Sequence, residues 1–311
     1  MGTLEQHIIA TITYYNEMSY PLTAFEVWRN MLEYQIGPNG AVPNNWTLVS
    51  VMEALNNGVV QRYVDEYRGF YFLKGRKKLV RGRILRNKIA VGKTKKLLKL
   101  VRCLQGVPFV RMIAVTGRLA MKSAQGRSDW DLLVVLKTGR IWIGRTLVTL
   151  IVWALGKRRT DKRSRDRACL NYFLTDQSLE IGTKDYFAAS EYSFIRPVFG
   201  WNVFQQFQLV NGWISRYHSN YHLADVSDRQ VLQDSRLTKF VRGWGERLFD
   251  HESLEAWLRR IERKKIANNP KTEIAGGLIE ATDQALVFLP LPQGPKVFER
   301  FKERLNSLRI R

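Results

Sequence analysis

The sequence of 311 residues has little cysteine and little histidine: it contains two cysteines and four histidines. Two cysteines, Cys103 and Cys169, cannot build a disulfide framework, so the chain is predicted to work in a reducing, cytoplasmic compartment, with both as buried small residues. His218 and His222 are spaced to pair on a helix, but no third ligand flanks them, which favours a helix surface pair over a metal site.

The sequence also lacks an apolar run long enough for a membrane span. Its most apolar segment, IWIGRTLVTLIVWALG at 141–156, has sixteen residues and contains Arg145. A bilayer-spanning helix needs about 20 predominantly apolar residues. The segment therefore predicts a buried core helix and no membrane span.

Acidic residues are missing from one part of the chain. Residues 68–127 contain 18 Lys and Arg and no Asp or Glu, in a protein of net charge +22. A basic block of this kind typically faces nucleic acid, nucleotide phosphates or another acidic surface, although a solvated helix face is the alternative. Nucleic acid is therefore a predicted partner of the segment 68–127.

The N-terminal segment 1–75 has features of a small winged-helix-like domain. Hydrophobic residues make up 45% of the whole chain, which predicts a folded protein, and its length allows two or three domains. Thr23 and Glu26 have the spacing of a capping box. Two alternating runs meet at Arg68-Gly69, which indicates a hairpin after three helices. A generic small α+β domain is the alternative.

A basic linker helix is predicted at 76–108. It contains Gly92-Lys93-Thr94, which resembles the end of a phosphate-binding loop, but Asn87 stands where that motif needs glycine. Strand and helix patterns alternate over 109–185, and helical patterns dominate 186–311. The predicted fold class is therefore α/β (α+β), with a mixed sheet flanked by helices and a helical C-terminal region.

Two aspartates open one of the predicted strands, in VTGRLAMKSAQGRSDWDLLVVL at 115–136. Residues i and i+2 of a strand point to one face, so Asp129 and Asp131 project together and Trp130 points away. Paired carboxylates repel each other, and a divalent cation such as Mg²⁺ removes that conflict. A solvated strand end is the alternative. The backbone N–H groups of the Gly117 turn and the hydroxyls of Ser123 and Ser128 would supply donors to phosphate oxygens.

This stretch resembles the signature of the nucleotidyltransferase superfamily, in which a strand ends at a glycine turn, a short helix follows, and Asp-apolar-Asp opens the next strand. The residues in matching positions are Gly117, Ala120, Ser128, Asp129, Asp131 and Leu132. The resemblance covers about 110–176. It implies a nucleotidyltransferase core at 109–185, a nucleoside triphosphate as substrate, and Mg²⁺ or Mn²⁺ bound by Asp129 and Asp131 as catalytic residues. Gly117, Arg118, Lys122 and Ser128 would form the substrate-binding set.

The sequence departs from this family at three positions. Arg118 stands where the family has Ser or Gly, and Lys122 replaces a glycine. The third family carboxylate falls on ACLNYFLTD, where alternation puts Cys169, Asn171 and Phe173 on one face. Asn171 is therefore the expected third catalytic position, but an amide cannot act as a general base. The nearby carboxylates that could substitute for it are Asp166, Asp176 and Glu180.

Two functions are compatible with this pattern. The first is a metal-dependent nucleotidyltransferase that moves a nucleoside monophosphate from a triphosphate to a hydroxyl acceptor and releases pyrophosphate. The alternative is a non-catalytic nucleic-acid- or nucleotide-binding protein with a degenerate transferase domain. The spacing from Gly117 to Asp131 favours the enzyme, whereas Asn171 and Arg118 favour the binding protein.

Overall fold

The structure is a computed structural model and describes residues 3–34, 46–221 and 231–309. The described helices are α1 (Thr3–Glu17), α2 (Ala24–Arg29), α3 (Leu48–Leu55), α4 (Gly58–Gln61), α5 (Lys78–Leu104), α6 (Gly117–Ala120), α7 (Ile141–Ala154), α8 (Tyr186–Ser193), α9 (Trp201–Val210), α10 (Arg236–Phe249), α11 (Glu252–Ala267) and α12 (Gly294–Ser307). The strands are β1 (Leu22–Thr23), β2 (Val64–Tyr67), β3 (Phe70–Leu73), β4 (Val110–Val115), β5 (Trp130–Leu136), β6 (Ala168–Thr175), β7 (Arg196–Phe199), β8 (Leu278–Ala281) and β9 (Ala285–Leu289).

The N-terminal segment contains the predicted helices and hairpin. Thr23 caps α2 through its hydroxyl, and Glu26 returns a bond to the Thr23 N–H at 3.0 Å, so the capping box is confirmed. The hairpin β2–β3 turns at Arg68 and Gly69, both with positive φ, as a two-residue turn requires. β1 adds to β3 in a three-stranded antiparallel sheet.

The predicted basic linker is a single helix, α5, of 27 residues. Of the 18 cations in 68–127, 14 are exposed, and the other four have fixed partners. These are Arg83 with Glu26, Arg86 with Ser123, Lys93 with Asp166, and Arg111 with Glu246. Gly92-Lys93-Thr94 is therefore a helical segment whose buried lysine is already paired. Cys103 lies on the exposed side of α5, so the prediction that it is buried was wrong.

The central sheet has six strands in the order β7-β4-β5-β6-β9-β8. Only β5 and β6 are parallel, and the other neighbours are antiparallel, so the sheet is mixed. This confirms the α/β class at the level of a mixed sheet flanked by helices.

Each face of the sheet is covered by a separate apolar core. Leu132 and Val134 point to one face, where they pack with residues of α5 and α7 such as Leu97 and Trp142. Leu133 and Val135 point to the other, where they pack with residues of α8 and α9. Asp129 and Asp131 precede Leu133 on this second face. Their carboxylates therefore lie at the end of β5, on the side of the sheet that α8 and α9 cover.

The C-terminal region is not purely helical, contrary to the prediction for 186–311. It supplies β7, β8 and β9 to the central sheet, besides helices α8 to α12. These strands have four or five residues, too short for a clear alternating pattern. The last helix packs on the first segment, because Val297, Phe301 and Leu305 belong to the core that contains α1.

The apolar segment 141–156 forms α7, and its first turn is buried as predicted for a core helix. The prediction was wrong for the rest of the segment, where Leu150, Trp153 and Leu155 are exposed. Its internal Arg145 forms an ion pair with Glu262 on α11, which explains how a charge is accommodated in this run. Within 3–34, 46–221 and 231–309, no helix is long and apolar enough to cross a membrane.

Candidate active site

Asp129 and Asp131 lie together at the start of β5. Asp129 immediately precedes the strand and Asp131 is its second residue, while the intervening Trp130 is fully buried in the opposite core. The Asp131 carbonyl accepts a hydrogen bond from the Thr116 N–H at 3.0 Å, which fixes the end of β4 beside the pair. The predicted common face of the two carboxylates is therefore present.

Gly117, the residue after Thr116, packs closely against the side chain of Asp131. Its φ is +60°, in the left-handed region that favours glycine. A Cβ added there would lie 2.7 Å from the Asp131 Oδ2 atom. The turn therefore requires glycine both for its backbone and for the space that Asp131 occupies.

Cys169, not Asn171, is the β6 residue directly opposite Asp131. The parallel register pairs Asp131 with Cys169 but Leu133 with Tyr172, so β6 contains a bulge at Leu170 and Asn171. The bulge shifts the alternation, and Phe173 joins the core opposite to the one containing Tyr172. The prediction of one face for Cys169, Asn171 and Phe173 was therefore wrong, although Asn171 does line the cavity at the pair.

Arg159 neutralises part of the negative charge of the pair. Its Nη1 atom lies 3.0 Å from Asp129 Oδ2 and donates to Cys169 Sγ at 3.2 Å. Arg159 belongs to the basic segment between α7 and β6, and about half of its side chain is exposed. A cation of the protein itself is thus already paired with Asp129.

The electrostatics of the site raise the pKa of two of its groups. Burial, followed by the charge of Asp129, raises the pKa of Asp131 to about 6, against the opposing effect of Arg159. Burial and the charge of Asp131 raise the pKa of the Cys169 thiol to about 11. At neutral pH Asp131 is therefore ionised at a cost in free energy, whereas Cys169 is a neutral thiol.

Glu191 is a site residue that the sequence did not reveal. It lies on α8 and lines the same cavity as Gly117 and Asp131. Burial, then the charges of Asp131 and Asp185, raise its pKa to about 7, while the Gly117 backbone N–H acts in the opposite direction. Only folding brings α8 over the glycine turn, and no spacing in the sequence signals that contact.

The cavity has a volume of about 790 Å³ and is bounded by β5, β6, α8 and the segment 289–295. Among the predicted substrate-binding residues, Gly117, Arg118 and Ser128 line it. Lys122 does not line it; its φ is +51°, in the region that the family's glycine would adopt without strain. The charge of Arg196 is the main cause that lowers the Lys122 pKa.

The other carboxylates considered from the sequence have partners elsewhere. Asp166 is paired with Lys93 at 2.7 Å and with Lys96 at 2.6 Å. Asp176 accepts hydrogen bonds from the backbone and hydroxyl of Thr138. Glu180 is paired with Lys184. None of the three lines the described cavity at the aspartate pair.

The sequence predicted that His218 lies on a helix surface, and this prediction was wrong. His218 is fully buried, with Nε2 3.2 Å from Ser190 Oγ and Nδ1 3.1 Å from the Asn30 carbonyl oxygen. Burial lowers its pKa to about 4, so the ring is neutral. Its proposed partner, His222, lies outside the described residues.

Three side chains of the site offer ligand atoms to a metal ion. The ligand atoms of Asp129, Asp131 and Cys169 all lie within 4.8 Å of one another. Two carboxylates suit Mg²⁺ or Mn²⁺, whereas a thiol must lose its proton before it binds a metal. The two aspartates therefore fit a hard divalent cation, and Cys169 fits as a neutral neighbour.

Comparisons with protein-family models, with curated proteins and with solved structures found no match for this chain. The resemblance of residues 110–176 to nucleotidyltransferases therefore stays a prediction.

Replacement of Arg159 should strengthen metal binding. Arg159→Gln removes a cation that competes with the metal for Asp129, and a half-exposed ion pair of this kind is worth up to about 1 kcal/mol. We expect the Kd for Mn²⁺, measured by isothermal titration calorimetry, to fall about fivefold. Arg127→Gln, which removes an exposed cation nearby, is the matched control. Equal changes in the two variants would show that only net charge matters.

Proposed function

We propose that the protein is a metal-dependent nucleotidyltransferase, which transfers a nucleoside monophosphate from a triphosphate to a hydroxyl acceptor and releases pyrophosphate. The observation that carries the proposal is the packing of the Gly117 turn against Asp131, with Asp129 on the same face and a cavity large enough for a nucleotide in front of both.

Different residues of the protein would bind the metal ion, the triphosphate and the acceptor. Asp129 and Asp131 would hold Mg²⁺ or Mn²⁺, which when bound neutralises charge on the phosphates. Arg118, which is exposed on the cavity wall, would contact the triphosphate, and Ser128 lines the same cavity. The 14 exposed cations of 68–127 offer a surface to a nucleic-acid acceptor.

Glu191 is the group best suited to accept a proton. The acceptor oxygen bonds to the α-phosphorus, the bond from that phosphorus to pyrophosphate breaks, and the hydroxyl proton moves to Glu191. A general base works best with a pKa near the operating pH, and that of Glu191 is about 7. Neither the amide of Asn171 nor the protonated thiol of Cys169 can take this role.

The second candidate is a non-catalytic binding protein. It is favoured by one observation, the contact of Arg159 with Asp129, because this internal cation offsets the charge of the pair without a metal. Such a protein would bind a nucleotide or nucleic acid and transfer nothing.

The test is a transfer assay with the full chain. The protein is incubated with Mg²⁺ or Mn²⁺, each labelled nucleoside triphosphate in turn, and a pool of RNA, DNA and protein. We expect label in one acceptor class and release of pyrophosphate, both lost with EDTA and restored by excess metal. Binding of a triphosphate without transfer would support the second candidate. If the protein shows no transfer and no metal-dependent binding of a triphosphate, the proposal is overturned.

A further inference from the structure

A second cavity, of about 480 Å³, adjoins the carboxylate cavity. The two share six residues in their walls: Arg159, Cys169, Asn171, Lys271, Phe288 and Pro290. The second cavity is otherwise formed by α7, the start of β6, the end of α11 and the segment 269–272. We call it the basic cavity, because its charged lining has five cations, Arg145, Arg158, Arg159, Lys265 and Lys271, and two acids, Asp161 and Glu262.

The acids of the basic cavity are already engaged. Glu262 pairs with Arg145 and, at 3.9 Å, with Lys265. Asp161 pairs with Lys271 at 2.6 Å. Arg159 contacts Asp129 of the carboxylate cavity. Among the residues that the structure describes, Arg158 is left without a carboxylate partner.

Arg158 is held in this position by the backbone and partly buried. The backbone of Arg158 forms an isolated β-bridge with Ala168 at the start of β6. Burial lowers the pKa of Arg158, and burial together with the charge of Arg158 lowers that of Arg145 to about 10, so both stay charged at neutral pH. Two guanidinium groups that repel each other beside one carboxylate leave an unbalanced positive charge, which an anion would balance.

Further donors and an apolar wall complete the cavity. The Thr149 hydroxyl lines it and is buried without a hydrogen-bond partner in the described chain. Leu170, Ile266, Ile279 and Phe288 supply apolar surface on the same lining. A ligand that carries a phosphate and a flat, largely apolar group matches both parts.

We propose that the basic cavity binds a nucleotide phosphate, with the base against the apolar wall, either as a free nucleotide or as the end of a nucleic-acid chain. The binding itself does not depend on catalysis. Its assignment as the site of the acceptor rests on the proposed function, since the shared wall at Asn171 and Cys169 would place the acceptor next to Asp131.

The test measures binding without metal. Adenosine monophosphate, a 5′-phosphorylated tetraadenylate and the same tetramer without phosphate are titrated into the full chain in EDTA, with calorimetric detection. We expect the phosphorylated probes to bind at least tenfold more tightly than the unphosphorylated one, and Arg158→Gln to remove that difference. Arg260→Gln, at an exposed arginine of α11 outside the cavity, is the matched control.

The outcomes separate the sources of the phosphate and the two proposals. Tighter binding of the tetramer indicates a nucleic-acid end, and tighter binding of the monophosphate a free nucleotide; both support the site. The titrations contain EDTA and measure binding without transfer, so a failed transfer assay does not affect them. Equal binding of all three probes, or equal losses in Arg158→Gln and Arg260→Gln, would overturn the site.

A second, independent observation concerns α10, whose apolar side faces outward. The exposed fractions of Leu237, Phe240 and Trp244 are 70%, 67% and 62%, and that of Leu248 is 57%. Polar residues of the helix contact the rest of the protein instead: Arg242 donates to the Gln105 carbonyl, and Glu246 pairs with Arg111. An amphipathic helix normally buries its apolar side and exposes its polar side.

The charges beside this apolar stripe indicate its partner. Arg236, Lys239 and Arg247 are exposed on α10, and its acidic residue, Glu246, is already paired. Two copies of this stripe would bring like charges together. We infer that α10 lies on an anionic lipid surface, with the aromatic side chains in the interface and the cations near lipid phosphates.

Vesicle sedimentation with the full chain tests this inference. We expect binding to vesicles with 30% phosphatidylserine, and at least tenfold weaker binding for the pair Phe240→Gln and Trp244→Gln. Val49→Gln, at an exposed apolar residue of α3, is the control for apolar surface elsewhere. Equal binding of all three proteins would show that net charge alone attracts them. A dimer that the double variant abolishes, without vesicle binding, would assign the stripe to a second copy.

Discussion

Asp129→Asn and Asp131→Asn, made singly, should each lower the rate of nucleotide transfer by more than about 100-fold and leave the protein folded. Each change keeps the size of the side chain but removes one of the two charges that would hold the cation. The measurement is the transfer assay at saturating triphosphate, with Mn²⁺ titrated to separate weaker metal binding from slower chemistry.

The stability of Asp131→Asn separates a functional role from a structural one. The folded-state pKa of Asp131, about 6, is raised above its value of 3.8 in the unfolded chain, so ionisation costs stability above pH 6. That cost, up to about 3 kcal/mol, vanishes as the pH falls through this range to 3.8. We therefore expect Asp131→Asn to raise Tm at pH 7 and to have little effect at pH 4.

Asp65→Asn is the matched control, since Asp65 lies on β2 of the N-terminal hairpin. It should change neither the transfer rate nor the metal dependence. Full activity of both site variants would contradict the proposed role of the pair. A Tm that falls at pH 7 for Asp131→Asn would show that the carboxylate stabilises the fold instead.

The parts of the site that could be predicted from the sequence are those set by local geometry. Asp129 and Asp131 share a face because a strand repeats every two residues, and the Gly117 turn precedes them within one strand–helix–strand unit. The capping box of Thr23 and Glu26 is local for the same reason. In each case a few neighbouring residues determine the contact.

The remaining features depend on contacts between distant segments. The bulge that brings Cys169 opposite Asp131 is a property of pairing between β5 and β6, and alternation along β6 alone gives the wrong register. Arg159 is one of several arginines in its segment, and only the fold selects it for Asp129. Glu191 reaches the site through the packing of α8. The short strands β8 and β9 acquire their role only by pairing with each other and with β6.

These distant contacts change the chemical interpretation of the site. From the sequence, the decisive uncertainty was the amide of Asn171 at the third position. In the structure, a thiol and a guanidinium lie at the pair, while a carboxylate with a pKa of about 7, that of Glu191, lines the same cavity at Gly117. The candidate proton acceptor therefore lies on α8 and not on β6.

Gly117→Ala should combine a moderate loss of stability with a large loss of activity. The left-handed backbone at φ +60° costs a residue with a side chain about 1–2 kcal/mol, which Tm will report. The new methyl group would also lie 2.7 Å from Asp131 Oδ2, so the carboxylate must move from its present position beside the turn. A misplacement of about 1 Å in a reacting site can cost about 100-fold in rate.

Gly126→Ala provides the control, because it lies in the same β4–β5 connection, has no positive φ and would have open space around its Cβ. It should leave both Tm and transfer near the wild-type values. The two effects at Gly117 can be separated by metal titration: a displaced Asp131 weakens Mn²⁺ binding, whereas backbone strain alone does not. If Gly117→Ala lowers Tm but keeps the wild-type affinity for Mn²⁺ and the wild-type rate, the close approach to Asp131 serves the fold, and the pairing of glycine turn and aspartates loses its functional meaning.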